Sequence, residues 1–484
     1  MSEMILGIDL GTSSVKLVLT DLRGRVIASA GQDYPIIGKD EGIYEQDPGY
    51  WTLAISTALK VLAQDHDLKL IRAIGLSGQM PSLVLIDKTT GKYIGNSILW
   101  PDPRADGIAA SLLEKWGPER YYSETGIVLD GHYLAPMYLW AQEFGQAENR
   151  IMISAKDYIC YWLCGELVTD PSTASGYALY SLRRSAWDRD LCDEAGISLD
   201  SLPQIIGSSE VAGRLKANIA HDLGLDPDTV VAAGGADSVC GALGIGATEQ
   251  GTVCQIWGTS TALIGITKKL DLSKPHAYFI TPMLTAGTYG MEADLISTGV
   301  SYKWLQDLIG TDVTQTAKKA PPGSDGLLFY PYISGGEQGV LWDPDLKAGM
   351  IGLSYKHEAA HIARALLEGR CFEAKRCMDA FDMDIKEVFC SGKAPQESFQ
   401  MQMFADVFGI ECISLPESHS SALGAAFIGG IAAGIWDMKD IRALALAEDE
   451  KLVYRPNEEE HKRYTEIYKK YINNTGHMKL MKNQ

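Results

Sequence analysis

Through about the first thirty residues, hydrophobic and polar positions alternate with the period of strands. Ile5-Leu6-Gly7-Ile8-Asp9 leads into a Gly11-Thr12-Ser13-Ser14 turn, then Val15 to Thr20, Arg23-Gly24 and Val26-Ile27-Ala28. This predicts an antiparallel meander. A helical period follows from Tyr50 to Ala63. Apolar runs at Ile71 to Leu76 and Leu83 to Ile86 read as strands, the second ending in the turn Lys88-Thr89-Thr90-Gly91.

Farther along, Val230 to Ala233 runs into Gly234-Gly235-Ala236-Asp237, and Ser238 to Ile245 reads as a small-residue helix beginning at Asp237. Gly251 to Ile264 then repeats the opening grammar of strand, Gly258-Thr259-Ser260 turn and strand, with the two Gly-Thr-Ser turns 247 residues apart. The echo predicts two related halves, 1–246 and 247–484, and the mixture of elements makes the class α/β. The second half continues with a strand at Gly326 to Pro331 ending in Ser334-Gly335-Gly336, and a long amphipathic helix from about His357 to Phe381. A strand at Glu387 to Cys390, a tight Ser391-Gly392 turn and a helix from Phe399 to Phe408 follow, and the polar residues after Tyr471 are expected to fray. No low-complexity linker separates the halves, so they should pack together with a cleft between them.

Composition narrows the partners. A chain of 484 residues with 46% hydrophobic and 22% charged side chains is folded and long enough for two large domains. Its formal charge of −19, with no run of Lys and Arg, argues against a nucleic-acid partner. Nine cysteines without a C-x-x-C pair read as reduced, mostly buried thiols of a cytoplasmic protein. The start carries Glu3 and no basic and apolar leader pattern. The longest uncharged stretch, Ser418 to Trp436, contains His419 and four glycines, which fits a closely packed helix better than a membrane span.

A Gly-Thr-Ser turn between strands offers successive backbone N–H groups and two hydroxyls at one spot, the donors a phosphate chain needs. Two such turns suit a triphosphate gripped from both sides, although one alone occurs in ordinary hairpins. Asp9 ends the first strand beside the first turn, where it could hold the water shell of Mg²⁺ or merely close the turn. Asp237 lies at a glycine-flanked junction of strand and helix. It could accept the proton of a substrate hydroxyl during phosphoryl transfer, or cap the helix, or both. The P-loop and G-x-G-x-x-G patterns are absent. His357-Glu358-Ala359-Ala360-His361 matches the zinc-protease pattern. With no third histidine at the downstream G-x-x-H extension and Ser354 placed as an N-cap, two histidines on exposed helical turns are the plainer account.

With these landmarks assembled, the sequence resembles the FGGY carbohydrate kinases, most nearly the xylulokinase-like branch, over nearly its whole length. The resemblance is carried by Gly7-Ile8-Asp9-Leu10-Gly11-Thr12-Ser13, Glu45-Gln46-Asp47-Pro48, Gly75-Leu76-Ser77-Gly78-Gln79-Met80, and Trp100 with Asp102 and Arg104. It continues through Lys156-Asp157-Tyr158, Thr169-Asp170, Gly234-Gly235 with Asp237, Gly258-Thr259-Ser260, Trp342-Asp343-Pro344 and Ser421 to Ala426. It implies a two-domain fold of the actin and hexokinase (ribonuclease H-like) type, with ATP and Mg²⁺ in an interdomain cleft. By motif position, Asp237 resembles the general base and Asp9 the metal-side carboxylate. Gly11, Thr12, Ser13, Lys16, Gly258, Thr259 and Ser260 resemble the phosphate side, and Gly392 with Lys393 the adenosine loop. Gln79, Met80, Pro81, Asp102, Arg104 and Ser238 fall at sugar-site positions.

Departures cluster at that sugar end. Where the family has His after Gln-Met, Asn and Gly around the Asp of W-N-D-G-R, and Asn after the base, this chain has Pro81, Pro101, Pro103 and Ser238. Proline gives up its N–H and any side-chain hydrogen bond, so a sugar hydroxyl must be read differently, unless the substrate is unchanged and the site has drifted. The adenosine loop is altered to Gly392-Lys393-Ala394-Pro395. The expected activity is phosphorylation of a primary hydroxyl on a small sugar, a ketopentose such as xylulose. A polyol or sugar acid such as glycerol or gluconate, or a non-catalytic nucleotide-binding scaffold, are the alternatives. A homodimer is left open; a membrane partner is not expected.

Overall fold

The computed structural model describes residues 2–38, 42–143, 149–275, 277–335, 339–343, 345–392, 394–415, 419–447 and 451–480. Lys393, Pro344, Gly336 and Ser418, each named above, lie outside the described residues.

The alternating opening forms Met4–Leu10 (β1), Ser14–Asp21 (β2) and Val26–Asp33 (β3), an antiparallel meander, with Ile71–Gly78 (β4) returning parallel to β1. Val211–Arg214 (β5) and Val230–Ala232 (β6) extend the sheet to the order β5-β6-β4-β1-β2-β3, and the two-residue strand Gly235–Ala236 also pairs with β4. Strand β1 is buried on both faces, which is why it reads as a continuous apolar run rather than a strict alternation. Leu6 and Ile8 meet Trp51 and Ile55 of helix Pro48–Leu62 (α1), whose start is fixed by Asp47 accepting the Gly49 N–H and by Pro48 in the first turn.

The second half builds Thr252–Trp257 (β7), Thr261–Thr267 (β8), Phe279–Pro282 (β9), Tyr289–Leu295 (β10), Glu387–Gly392 (β11), Cys412–Ser414 (β12) and Leu452–Tyr454 (β13). Their order, β9-β10-β8-β7-β11-β12-β13, mirrors the first sheet: an antiparallel hairpin around a Gly-Thr-Ser turn, then a parallel strand beside its first member. The tripeptide echo therefore has a topological counterpart.

Two helices meet between the sheets, and each reaches the opposite half. Asp237–Gly244 (α2), which follows the first sheet in sequence, places Ala242 against Cys254, Ile264 and Phe389 of the second. Ser420–Ala432 (α6), from the second half, places Ala426 and Phe427 against Ile5 and Ala73 of the first. The uncharged stretch seen in the sequence is thus a packed helix, and no helix among the described residues is long and apolar enough to cross a membrane. The contacts are backbone to backbone. A Cβ on Gly7 would enter the carbonyl of Ala422, one on Gly75 that of Ala425, and one on Gly424 that of Cys240.

Between these comes Ala359–Ala380 (α4), expected to be amphipathic but buried on nearly every side, with Arg364, Glu368, Arg370, Glu373 and Arg376 inside the fold. Helix Glu458–Leu480 covers it (labelled α7, with Thr298–Ile309 as α3 and Ser398–Phe408 as α5). The chain therefore does not fray at Tyr471. Tyr471, Thr475 and Met478 are buried on one helical face, and Thr475 accepts a hydrogen bond from Arg376. All nine cysteines are free thiols, eight buried and Cys164 half-buried.

Candidate active site

Strand β4 aligns the chemistry. Asp9 pairs in register with Ser77, and Ser77 pairs on its other side with Gly235, two residues before Asp237. Gly234 turns the chain there with φ +88°, and a Cβ would strike the Leu76 carbonyl, so only glycine fits the bend. The Ser77 hydroxyl donates to Asp9 Oδ1 at 2.9 Å, while Oδ2 makes no hydrogen bond among the described residues. Burial pushes the Asp9 carboxyl up, and Ser77, Lys16 and His419 pull it back.

Asp237 is the first residue of α2. Its Oδ1 accepts the Ser238 N–H at 2.9 Å, and the capping position belongs to Ala236, so the N-cap reading is corrected. The residue as a whole is half-buried. Burial, followed by the charges of Asp9 and Glu292, pushes its carboxyl up to about 7.

Facing it are two carboxylates the sequence analysis did not select. Glu292 and Asp294 alternate on β10 and so share one face of the strand. Glu292 Oε2 accepts from Thr281 at 3.1 Å and from the Ser238 hydroxyl at 3.4 Å. Burial and mutual repulsion raise Glu292, and burial with Asp237 raises Asp294. The signal was available in Tyr289-Gly-Met-Glu-Ala-Asp-Leu, where two acids recur at strand spacing.

The two Gly-Thr-Ser turns sit where expected. Gly11 donates to the Ser14 carbonyl at 3.0 Å, and Gly258 to the Ser260 carbonyl at 2.8 Å. Thr12 is held by Trp100, whose indole N–H donates to its hydroxyl at 3.2 Å, and by Gln46, whose amide donates to its carbonyl at 2.8 Å. Gly258, Thr259 and Ser260 are exposed, and the Thr259 carbonyl accepts the N–H of Gly299 in the first turn of α3. Gly392 pairs with Trp257 and needs its φ of +97°, because a Cβ would enter the Trp257 carbonyl. Lys16 is exposed on β2 opposite Asp9 in register.

The sugar-end positions divide. Gln79 is buried, its amide reaching Gln46 at 3.5 Å and its Oε1 without a partner among the described residues. Met80 and Pro81, joined by a cis peptide, are half-buried, and Ser238 adjoins Asp237. Asp102 and Arg104 form a closed cluster instead. Asp102 accepts the Tyr44 N–H and three bonds from Arg104, and Arg104 also donates to Glu45 at 2.6 Å and lies 4.3 Å over the Trp140 ring. Burial opposes ionisation of Asp102, but the bonds from Arg104 and Tyr44 hold its carboxyl below the usual range. Lys156 is likewise committed, buried between Asp157 at 2.8 Å and Asp170 at 3.1 Å and donating to the Ala233 carbonyl.

The zinc-like motif dissolves. Ser354 is not the cap: the helix begins at Ala359 with Glu358 capping. His357 Nδ1 accepts the Ser354 N–H at 2.9 Å and His361 Nδ1 accepts the Glu358 N–H at 3.1 Å, so both rings serve the helix start. No group of three or more His, Cys, Asp and Glu able to hold a metal occurs among the described residues.

Comparison with known proteins agrees with this layout. The chain is 32% identical to the xylulose kinase of Lactococcus lactis over 96% of its length and 95% of that protein. It is 30% identical to the gluconokinase of Bacillus subtilis, covering all of this chain and 97% of the other. The structure of ligand-bound xylulose kinase from Lactobacillus acidophilus superposes with a TM-score of 0.90 at 28% identity, covering 97% of both chains. Residues 4–244 match the N-terminal domain model and residues 254–433 the C-terminal domain model of one family, and the chain belongs to it: the FGGY family of carbohydrate kinases, with the two-domain actin and hexokinase-like fold.

Proposed function

We propose that this FGGY sugar kinase transfers the γ-phosphoryl group of ATP to a primary hydroxyl of a small neutral ketose, xylulose first among them. One observation carries the reading: the Asp237 carboxyl, raised to about 7 on a half-buried residue, stands at the end of the strand path that also carries Asp9 and the first phosphate turn. A carboxylate of that basicity takes a hydroxyl proton near neutral pH far better than one at the ordinary value. Oδ1 is held by the Ser238 N–H, which leaves Oδ2 to receive the proton. Residues 1–246 supply this acceptor end, and 247–484 the exposed Gly258-Thr259-Ser260 turn and Gly392 for the nucleotide.

Asp9 fits a magnesium ion: it presents one unbonded anionic oxygen beside Gly11, and Mg²⁺ favours a carboxylate with several retained waters. When bound with the phosphates, the ion offsets the charge that spreads over the transferring group. Closure of the halves would align hydroxyl and phosphate and exclude water. The free thiols suit a reducing cytoplasm.

The gluconokinase likeness keeps a sugar acid in view, but the electrostatics disfavour it. Arg104 and Lys156, cations near that end, are each spoken for by two carboxylates, while Asp237, Glu292 and Asp294 face the acceptor. ADP release measured with xylulose, other ketopentoses, glycerol and gluconate tests the reading. Turnover fastest on a ketopentose, and lost in Asp237→Asn with ATP binding intact, is expected. Gluconate as the best substrate, or an active Asp237→Asn, would sink it.

A further inference from the structure

Three arginines lie buried along α4, and two have carboxylate partners. Arg364 donates to Glu368 at 3.0 Å, and Arg376 pairs with Glu373 at 3.4 Å. Arg370, between them, has none among the described residues. Its side chain is within a residue 4% exposed, and Nε and Nη1 lack any hydrogen-bond partner. Glu368 and Glu373 are engaged by other groups: the Gly323 N–H, Ser324 and Tyr464 for the first, Tyr332 and Tyr471, both at Oε1, for the second. The guanidinium instead lies between two rings, 5.1 Å from the centre of Trp257 and 5.4 Å from that of Tyr302. Burial pushes it down to about 10, so it remains charged at neutral pH.

A buried cation without an anion is destabilising, so its retention calls for an explanation, and a charged ligand that completes it is one. The position of Arg370 says which. Trp257 directly precedes the Gly258-Thr259-Ser260 turn and pairs with Gly392, while Tyr302 belongs to α3, whose first turn is bonded to the Thr259 carbonyl. Both rings that sandwich the guanidinium are therefore anchored to the turns assigned above to the nucleotide.

We propose that Arg370 is a positioning residue whose uncompensated positive charge, set beneath the nucleotide turns, is completed by the polyphosphate of the bound nucleotide. The inference rests on the nucleotide-site reading given under the proposed function. Arg370 acts through its field and through the Trp257 and Tyr302 rings. It favours phosphate-bearing nucleotides over adenosine.

Calorimetric titration of the full chain with ATP, ADP and adenosine tests this, in wild type, Arg370→Met and Arg370→Lys. The Met variant should bind ATP about tenfold more weakly, the scale of one charge acting through protein, with adenosine affinity within about twofold of wild type. Arg370→Lys should restore the ATP preference. Without ligand, Arg370→Met should unfold at the same or a higher temperature, since an unpaired charge is gone, yet gain less from added ATP. Should the Met variant not fold, Arg370→Gln against Arg370→Lys carries the same comparison. An unchanged ATP to adenosine ratio in the neutral variant overturns the proposal, as does equal weakening of both ligands, which would mean the side chain only shapes the pocket. Wild type that ignores ATP altogether removes the nucleotide-site reading itself.

Discussion

Gly75→Ala is the most direct probe of how the two halves are joined. Gly75 pairs with Gly7 on the adjacent strand, and α6 lies across both, so each missing Cβ is the space occupied by a helix carbonyl, that of Ala425 or Ala422. Strand and helix backbones are both held in hydrogen-bonded ladders and cannot swing aside as a side chain would. To reach ordinary van der Waals distance the helix must lift by an ångström or more, which also opens its contacts with Ile5, Ala73 and Cys240. Overpacking commonly costs about 1–3 kcal/mol, and with backbone on both sides we expect about 3–5 kcal/mol here. At roughly 2–4 °C per kcal/mol for a domain of this size, the melting temperature should fall by roughly 6–20 °C. Turnover should drop with it, because Gly424 of α6 abuts Cys240 in the helix that begins at Asp237. Gly107→Ala is the control: it sits in helix Asp106–Trp116 with nothing within 4 Å of a new Cβ, so it should be neutral or gain up to about 1 kcal/mol. Thermal unfolding followed by circular dichroism reads both. A Gly75→Ala protein melting within about 2 °C of wild type would refute the close-approach argument.

Four further outcomes follow from the site and its supports. With the base at about 7, kcat/KM for the sugar should rise as pH increases through neutrality, and Glu292→Gln, by removing a like charge, should move that limb to lower pH. The stability sign is opposite: the folded state holds this proton more tightly than the unfolded chain, so stability falls as pH climbs from the ordinary carboxylate range to about 7. Asp237→Asn should accordingly melt higher than wild type at pH ~8 while losing turnover; a lower melting point there contradicts the raised carboxyl. Arg104→Met should cost about 1–3 kcal/mol by stranding the buried Asp102, yet leave KM for the sugar nearly unchanged; a large KM rise in steady-state kinetics would return Arg104 to the sugar. Truncation after Tyr471 should lose about 2–4 kcal/mol in denaturant unfolding, because it strips buried Thr475 and Met478 and the Arg376 hydrogen bond; an unchanged midpoint would mean the last turns carry no load.

Local grammar was legible where one element decides the outcome by itself. The meander, both Gly-Thr-Ser turns and the bend before Asp237 follow from period, turn residues and glycine placement over a few positions. The readings that failed needed a partner distant in sequence. Polar residues after Tyr471 looked free to fray because nothing nearby shows that Tyr471, Thr475 and Met478 have α4 to rest on. The same blindness made α4 look amphipathic, whereas its Arg and Glu residues lie inside the fold, Arg364 bonded to Tyr464 and Glu373 to Tyr471. Arg104 is a different case: its sugar-site role stays a motif expectation, and what spacing did not show is its bond to Glu45 and its place over the Trp140 ring.

The crossing of α2 and α6 gives Asp237 its place. If each helix packed on its own sheet, Asp237 would belong wholly to the acceptor half, and its distance from a nucleotide on the other half would vary with every relative motion. Instead α2 leaves the first sheet at Gly235–Ala236, anchored to Ser77 and Gly78, and buries Ala242 against the second sheet that carries the Gly258 turn. Its first residue is therefore fixed from both sides. The glycines at the crossing matter for the same reason, since helix backbones in direct contact leave no side chains whose rotamers could absorb a shift. On the proposed reading, the acceptor carboxylate and the Gly258 turn are thus tied through one helix, which suits an in-line transfer between two bound substrates.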